Sequence, residues 1–270
     1  MRPGRFLLLI TVSLSLAFPA AAQQNAAVAA TPQPPQRDAQ ALKLLAQSAA
    51  AMGGANWSAI TSTQEIVQYT SMRDGQPATS TRTITTRGNS MRIDDQDASG
   101  TSAFVMDATT AHGRGPGEQA RPASRRALGN GGLTHLPALS AFARWTGSDV
   151  SATYVGLEDV AGSKLHHIIL QLPPNTSFQP PRHEPPCHIY LDPQTLLVTQ
   201  FTYSIRALTN LRVTAPVTVK YEDYRVVQGV QIPFKVTYLM DSNVVGTHVV
   251  TSISLNVAVP DSTFQLGGAL

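Results

Sequence analysis

Residues 217–240 read Val217-Thr218-Val219-Lys220-Tyr221-Glu222-Asp223-Tyr224-Arg225-Val226-Val227-Gln228-Gly229-Val230-Gln231-Ile232-Pro233-Phe234-Lys235-Val236-Thr237-Tyr238-Leu239-Met240. Val217, Val219 and Tyr221 alternate with Thr218, Lys220 and Glu222. Beyond Val227-Gln228-Gly229, the apolar residues Val230, Ile232, Phe234, Val236, Tyr238 and Met240 alternate with Gln231, Pro233, Lys235 and Thr237. A period of two puts successive side chains on opposite faces of a strand. The stretch is a hairpin, turned at a glycine, with one apolar and one wet face.

The same pattern extends in both directions. Strands are expected at 152–157, 165–172, 187–191, 196–205, 216–226, 230–240 and 245–257, with Asp192-Pro193-Gln194-Thr195 as a second hairpin turn. Nearer the N-terminus, 63–70, 80–87, 91–94 and 102–107 form a four-strand meander. Residues 112–132 hold many Gly and Pro and read as a long loop. Residues 136–145 read as a helix with Pro137 in its first turn. Another helix is expected over 38–52. Asp38 caps it, Leu42, Leu45, Ala49 and Met52 share a face, and Gly53-Gly54 stops it. About eleven strands with one apolar face each exceed what so few helices can cover, so the sheet must curl. A curled, partly covered apolar face suits an apolar ligand.

Composition bounds the alternatives. The chain has 270 residues, 42% hydrophobic and 14% charged, with one cysteine. That excludes a chain disordered throughout, a disulfide framework and a four-cysteine zinc module. Arg2 and Arg5, the apolar run 6–18 and Ala20-Ala21-Ala22 follow in the order of a secretory signal peptide, with cleavage expected before Gln23. The only cysteine, Cys187, is far from this segment, so a soluble, non-lipidated periplasmic or secreted protein is expected. Losing Arg2 and Arg5 lowers the net charge from +3 to +1. The expected organisation is a signal peptide (1–22), a Pro/Ala/Gln-rich linker (23–37), one domain (38–266) with an insertion (108–147), and a short tail (267–270).

The C-terminal third carries a resemblance. Tyr221-Glu222-Asp223-Tyr224-Arg225, Val227-Gln228-Gly229-Val230-Gln231-Ile232-Pro233, Ser254-Leu255-Asn256 and Val259-Pro260-Asp261-Ser262-Thr263-Phe264 follow one another as in the terminal hairpins of the periplasmic lipoprotein-carrier superfamily. Arg87-Gly88-Asn89 and Met91-Arg92-Ile93 resemble that family's second hairpin. Val105-Met106-Asp107 resembles a strand that usually ends in Asp-Gly, with Ala108 here in place of the glycine. The resemblance implies a half-open β-barrel, mainly β in an α+β sense, with helices across its concave face. It also implies a role in lipid transport and outer-membrane biogenesis, with a lipid, acyl chain or acylated protein as the partner and no catalysis. Lining is expected from Met91, Ile93, Phe104, Met106, Phe234, Val236 and Tyr238, with Arg87 and Arg92 at the rim against a lid or headgroup. The alternatives for the two arginines are pairs with Asp94 or Glu65.

His183-Glu184-Pro185-Pro186-Cys187-His188 has metal-ligand types but no regular zinc spacing, and Cys187 and His188 should face opposite sides of a strand. A metal-dependent enzyme using His183 and His188 is therefore the third reading, behind a scaffold module that binds a protein or envelope partner. Neither a metal nor a cofactor is expected. On 165–172 one of His166 and His167 should point inward and the other outward. Asp94-Asp95-Gln96-Asp97 lacks the glycine and terminal glutamate of a calcium loop and reads as a solvated turn. Arg114, Arg121, Arg125 and Arg126 form a basic loop that could meet an anionic group or solvent. Nucleic acid is not expected of an exported chain without interleaved aromatics, and a monomer is expected.

Overall fold

A computed structural model describes residues 35–73, 75–107, 110–123, 148–171, 186–206 and 214–266. The expected helix 136–145, His183, Arg125, Arg126 and the segments 1–34 and 267–270 lie outside them.

The helices are α1 (Ala39–Ala51) and α2 (Ala55–Ser58). The strands are β1 (Ser62–Arg73), β2 (Gln76–Arg87), β3 (Ser90–Asp97), β4 (Gly100–Met106), β5 (Ala111–Arg114), β6 (Arg121–Pro122), β7 (Ser151–Val160), β8 (Ser163–Gln171), β9 (Cys187–Leu191), β10 (Val198–Arg206), β11 (Thr214–Val227), β12 (Val230–Met240) and β13 (Asn243–Leu255). A 3₁₀ turn, Asp261–Phe264, follows.

All 13 strands form one antiparallel sheet in the order β6-β5-β4-β3-β2-β1-β13-β12-β11-β10-β9-β8-β7. The sheet curls without closing, as a half-open barrel. Every expected strand is present, and the count rises from about eleven to 13 because β5 and β6 lie in the stretch read as a loop. The Asp107 carboxylate accepts from the Thr110 backbone N–H (2.7 Å) and hydroxyl (3.0 Å), and the chain folds back so that β5 pairs with β4. The pairing of β1 with β13 joins the early meander to the late hairpins. The free edges are thus β6 and β7, which are consecutive in the chain. Gln36–Asp38 shields part of one edge: the Asp38 N–H donates to the Ala152 carbonyl and the Ala152 N–H to the Gln36 carbonyl, both at 2.9 Å.

Helix α1 forms as its sequence dictates. The Asp38 carboxylate accepts from the N–H groups of Gln40 (2.7 Å) and Ala41 (3.2 Å), which would otherwise be orphaned at the first turn. Ala41, Leu44, Leu45 and Met52 are buried. Each large side chain so buried contributes about 1.5–3 kcal/mol of transfer free energy. The end of α1 is pinned to the β11–β12 turn. The Gln231 N–H donates to the Met52 carbonyl at 3.0 Å. Gly229 sits at φ +79, and a Cβ there would stand 2.5 Å from Asn56 Nδ2. Only glycine meets both the left-handed backbone and the close approach.

Candidate functional site

The concave face has two differently closed halves. On β7–β11, α1 lies over the sheet. Leu44, Leu45 and Met52 join Ala152, Ile168, Leu170, Ile189, Phe201, Tyr203, Val219 and Tyr221 in one buried cluster, which also takes in Val236. On the other side, β1–β4 and β12–β13 contribute Val67, Ile84, Met91, Ile232, Phe234, Val250 and Leu255. Trp57 and Ile60, just after α1, pack against this smaller cluster.

Strand pairing sets Met91 opposite Met106 and Ile93 opposite Phe104. Alternation places the four on one face, with Ile84 beside Ile93. Met91 and Ile84 are buried, but Ile93, Phe104 and Met106 are only half-buried. Phe234 is buried in the same cluster, and the Arg225 guanidinium lies 4.3 Å from its ring centre. Val236 belongs to the larger cluster, and Tyr238 packs against it half-buried. The seven expected lining residues therefore divide between the two clusters. The alternation of β12 holds except at Pro233, which is buried as well.

Between these apolar areas lies a polar knot that the sequence pattern did not reveal. Pairing sets Arg82 opposite both Val67 and Asp95, and Val67 opposite Val250. Arg82 Nε donates to Asp95 Oδ2 at 3.2 Å, and Arg82 Nη1 lies 3.3 Å from His248 Nε2. The guanidinium stacks 3.7 Å from the Tyr69 ring centre. The His248 ring meets the Tyr69 ring edge-on (4.7 Å) and the Tyr238 ring at 5.0 Å. Glu65, on the same face of β1, is 4% exposed. Its Oε1 and the Oδ1 of Asp95 are buried without a hydrogen-bond partner. Burial pushes the Glu65 carboxyl up to about 7, because a low-dielectric site disfavours the charged form. Burial also raises the hydroxyls of Tyr238 and Tyr221. A small cleft opens among Glu65, Val67, Pro233, Val236, Tyr238, His248 and Val250.

This corrects the reading of Asp94-Asp95-Gln96-Asp97 as a solvated turn. The four residues continue β3, with Asp94 bonded to Arg92 and Asp95 to Arg82. Periodicity could not signal this, because a charged pair on an apolar face breaks the pattern that announces the face. A recess of about 330 Å³ at the strand tips, lined by Ser71, Ala78, Thr79, Ser80, Asp97, Ala98 and Ser99, offers polar groups and no large apolar anchor.

Arg87 and Arg92 lie on the opposite face of the sheet, by the alternation against Ile84 and Ile93. Both hold the C-terminal segment. Arg87 donates to the Val259 carbonyl and to the Asp261 carboxylate, and its guanidinium sits 5.2 Å from the Phe264 ring centre. Arg92 clasps Asp94 through Nε (2.7 Å) and Nη2 (2.8 Å) and reaches the Thr263 carbonyl through Nη1 (3.0 Å).

A histidine array occupies that opposite face near the other edge. Glu158 Oε2 is 2.6 Å from His167 Nδ1, and His167 Nε2 is 2.9 Å from His188 Nδ1. The His167 ring stacks on Tyr190 at 4.5 Å. Burial, then the neighbouring His167, holds the His188 imidazole below its ordinary range. His166 faces the other way, its Nδ1 2.9 Å from the Tyr154 hydroxyl. Cys187 sits in the larger apolar cluster, across the sheet from His188, so the two cannot act as a thiol–imidazole pair. No group of three or more His, Cys, Asp or Glu residues among those described could hold a metal ion. Glu158 escaped the sequence reading because its link to His167 depends on the pairing of β7 with β8.

Comparison with solved structures resolves what the architecture is. A LolA superfamily protein from Nitrosomonas europaea matches with TM-score 0.55 and 14% identity, over 84% of this chain and 97% of that one. The fold is that of the lipoprotein carriers. A domain whose description names outer membrane lipoprotein sorting, from Vibrio parahaemolyticus, matches this chain with TM-score 0.53 and 7% identity, over 83% and 96%. A DUF1329 family protein from Desulfovibrio piger matches with TM-score 0.50 and 8% identity, over 83% and 97%. No family model and no curated protein matches the sequence. No helix among the described residues is long and apolar enough to cross a membrane.

Proposed function

We propose that this protein is an exported, non-enzymatic carrier that holds an acyl chain, free or attached to a lipid or protein, on the concave face beside β3 and β4. The observation that carries this reading is the patch of Ile93, Phe104 and Met106. Three large apolar side chains pack against the smaller cluster yet stay only half-buried on the inner face, beyond the half that α1 covers. Burying an acyl chain there yields about 0.8 kcal/mol per CH₂, with no chemistry required. The carrier-like fold and its structural neighbours support the same class of ligand. The signal-peptide pattern supports export.

A fluorescent fatty-acyl probe tests the proposal. Saturable binding is expected for the unchanged protein. Phe104→Asp should abolish it, whereas Val249→Asp, at an exposed site on the opposite face, should leave it intact. Equal binding by all three proteins would overturn the assignment of the patch.

A further inference from the structure

The polar knot on the concave face is unexplained by an apolar groove alone. Arg82 is already balanced by Asp95, and Glu65 adds a second carboxyl to a cluster whose other basic group, among the described residues, is the His248 imidazole. Two buried carboxyl oxygens, Glu65 Oε1 and Asp95 Oδ1, accept nothing. A buried polar atom without a partner is costly and is rare in folded chains. Glu65 lines a cleft of about 10 Å³, room for a group the size of one water, among Val67, Val236 and Val250, on the same face as Ile93, two strands from β1, and Phe104, three strands from it. Surplus acceptors at one end of an apolar surface complement one kind of molecule. It has a chain for the apolar part and a head that donates hydrogen bonds.

We infer that the concave face selects amphiphiles with a hydrogen-bond-donating, cationic head, an alkylammonium, which Glu65 accepts while the chain lies along Ile93, Phe104 and Met106. This rests on the carrier reading above and names its ligand class. An anionic head is disfavoured, because it would meet Glu65 and Asp95 with Arg82 already engaged. A neutral hydroxyl head should fall between the two. Selection should strengthen as pH rises through about 7, where Glu65 ionises, since an alkylammonium, like a lysine side chain, keeps its proton there. The groups facing Glu65 are Arg82, Asp95, Tyr69, Tyr238 and His248.

The test is displacement of the fluorescent fatty-acyl probe by dodecylamine, dodecanol and dodecanoate, below micellar concentrations. At pH 8, dodecylamine should compete about tenfold better than dodecanoate, and the preference should shrink at pH 5.5. In Glu65→Gln, the preference and its pH dependence should both disappear while probe binding persists. If the pH dependence survives in Glu65→Gln, another group titrates and the assignment to Glu65 fails. If all three compounds compete equally with the unchanged protein, the head selection is wrong and the carrier reading stands. If neither the probe nor any of the three binds, both readings fall. Should Glu65→Gln not fold, the pH dependence of the unchanged protein still decides, since a preference that is flat from pH 5.5 to 8 refutes the inference.

Discussion

On the β7–β11 half of the concave face, Leu44, Leu45 and Met52 of α1 press onto Ile168, Ile189 and Val219, and the core is sealed. On the β1–β4 half, the same strand alternation produces Ile84, Met91, Ile93, Phe104 and Met106, but Ile93, Phe104 and Met106 are only half-buried and a polar knot sits beside them. The difference shows that alternation builds an apolar face without deciding what that face is for. A helix laid across it makes core; where no helix among the described residues covers it, a surface is left for something else. A lipid-carrier reading predicts that the two halves answer differently to the same kind of substitution.

The largest contrast should come from truncations. Ile168→Ala, at a fully buried site, should cost about 2–5 kcal/mol of stability, read from the shift of a urea unfolding midpoint. Phe104→Ala should cost less than about half of that, because its ring is only half-buried, yet it should weaken acyl-probe binding several-fold. Similar stability losses at both sites would erase the distinction between the halves.

Glu65 should give the next largest effect. Its folded pKa of about 7 lies above the ordinary 4.5, so the folded state keeps a proton that the unfolded state has already released. Stability therefore falls as pH rises from about 4.5 through 7 and levels off above. Glu65→Gln should flatten this dependence and stabilise the protein at pH 8, by at most about 3 kcal/mol. Urea midpoints at pH 5 and pH 8 measure it, and an unchanged slope would contradict the burial of Glu65.

Smaller effects should come from the device that seats α1. Gly229→Ala forces a Cβ onto Asn56 at positive φ and should cost about 1–2 kcal/mol. Asp38→Ala removes the N-cap and should cost about 1 kcal/mol. Both should loosen the helix-covered half first, seen as faster amide exchange in Leu44 and Leu45 than in the residues of β3.

Much of this was legible beforehand. Period-two alternation located every strand from β1 to β4 and from β7 to β13, and Asp38 with Gly53-Gly54 bounded α1 within a residue or two. Local pattern carries that information because it reflects which face each side chain meets. What stayed hidden depends on pairing between distant strands. Strand β5 is four residues long and includes His112, Gly113 and Arg114, so it has no apolar period to read. The Arg82–Asp95–His248 knot and the Glu158–His167–His188 array each join three strands, and no single segment displays either. Arg87 and Arg92 are expected from the sequence at a cavity rim, or paired with Asp94 or Glu65, and only the fold reveals that they hold Val259, Asp261 and Thr263 on the face away from the groove.

Native mass spectrometry of the gently purified protein tests the central claim most directly. The account predicts a lipid-bound species, or one that appears on adding an acyl lipid, and its loss in Phe104→Asp. A clean unliganded mass that ignores added lipid would contradict it.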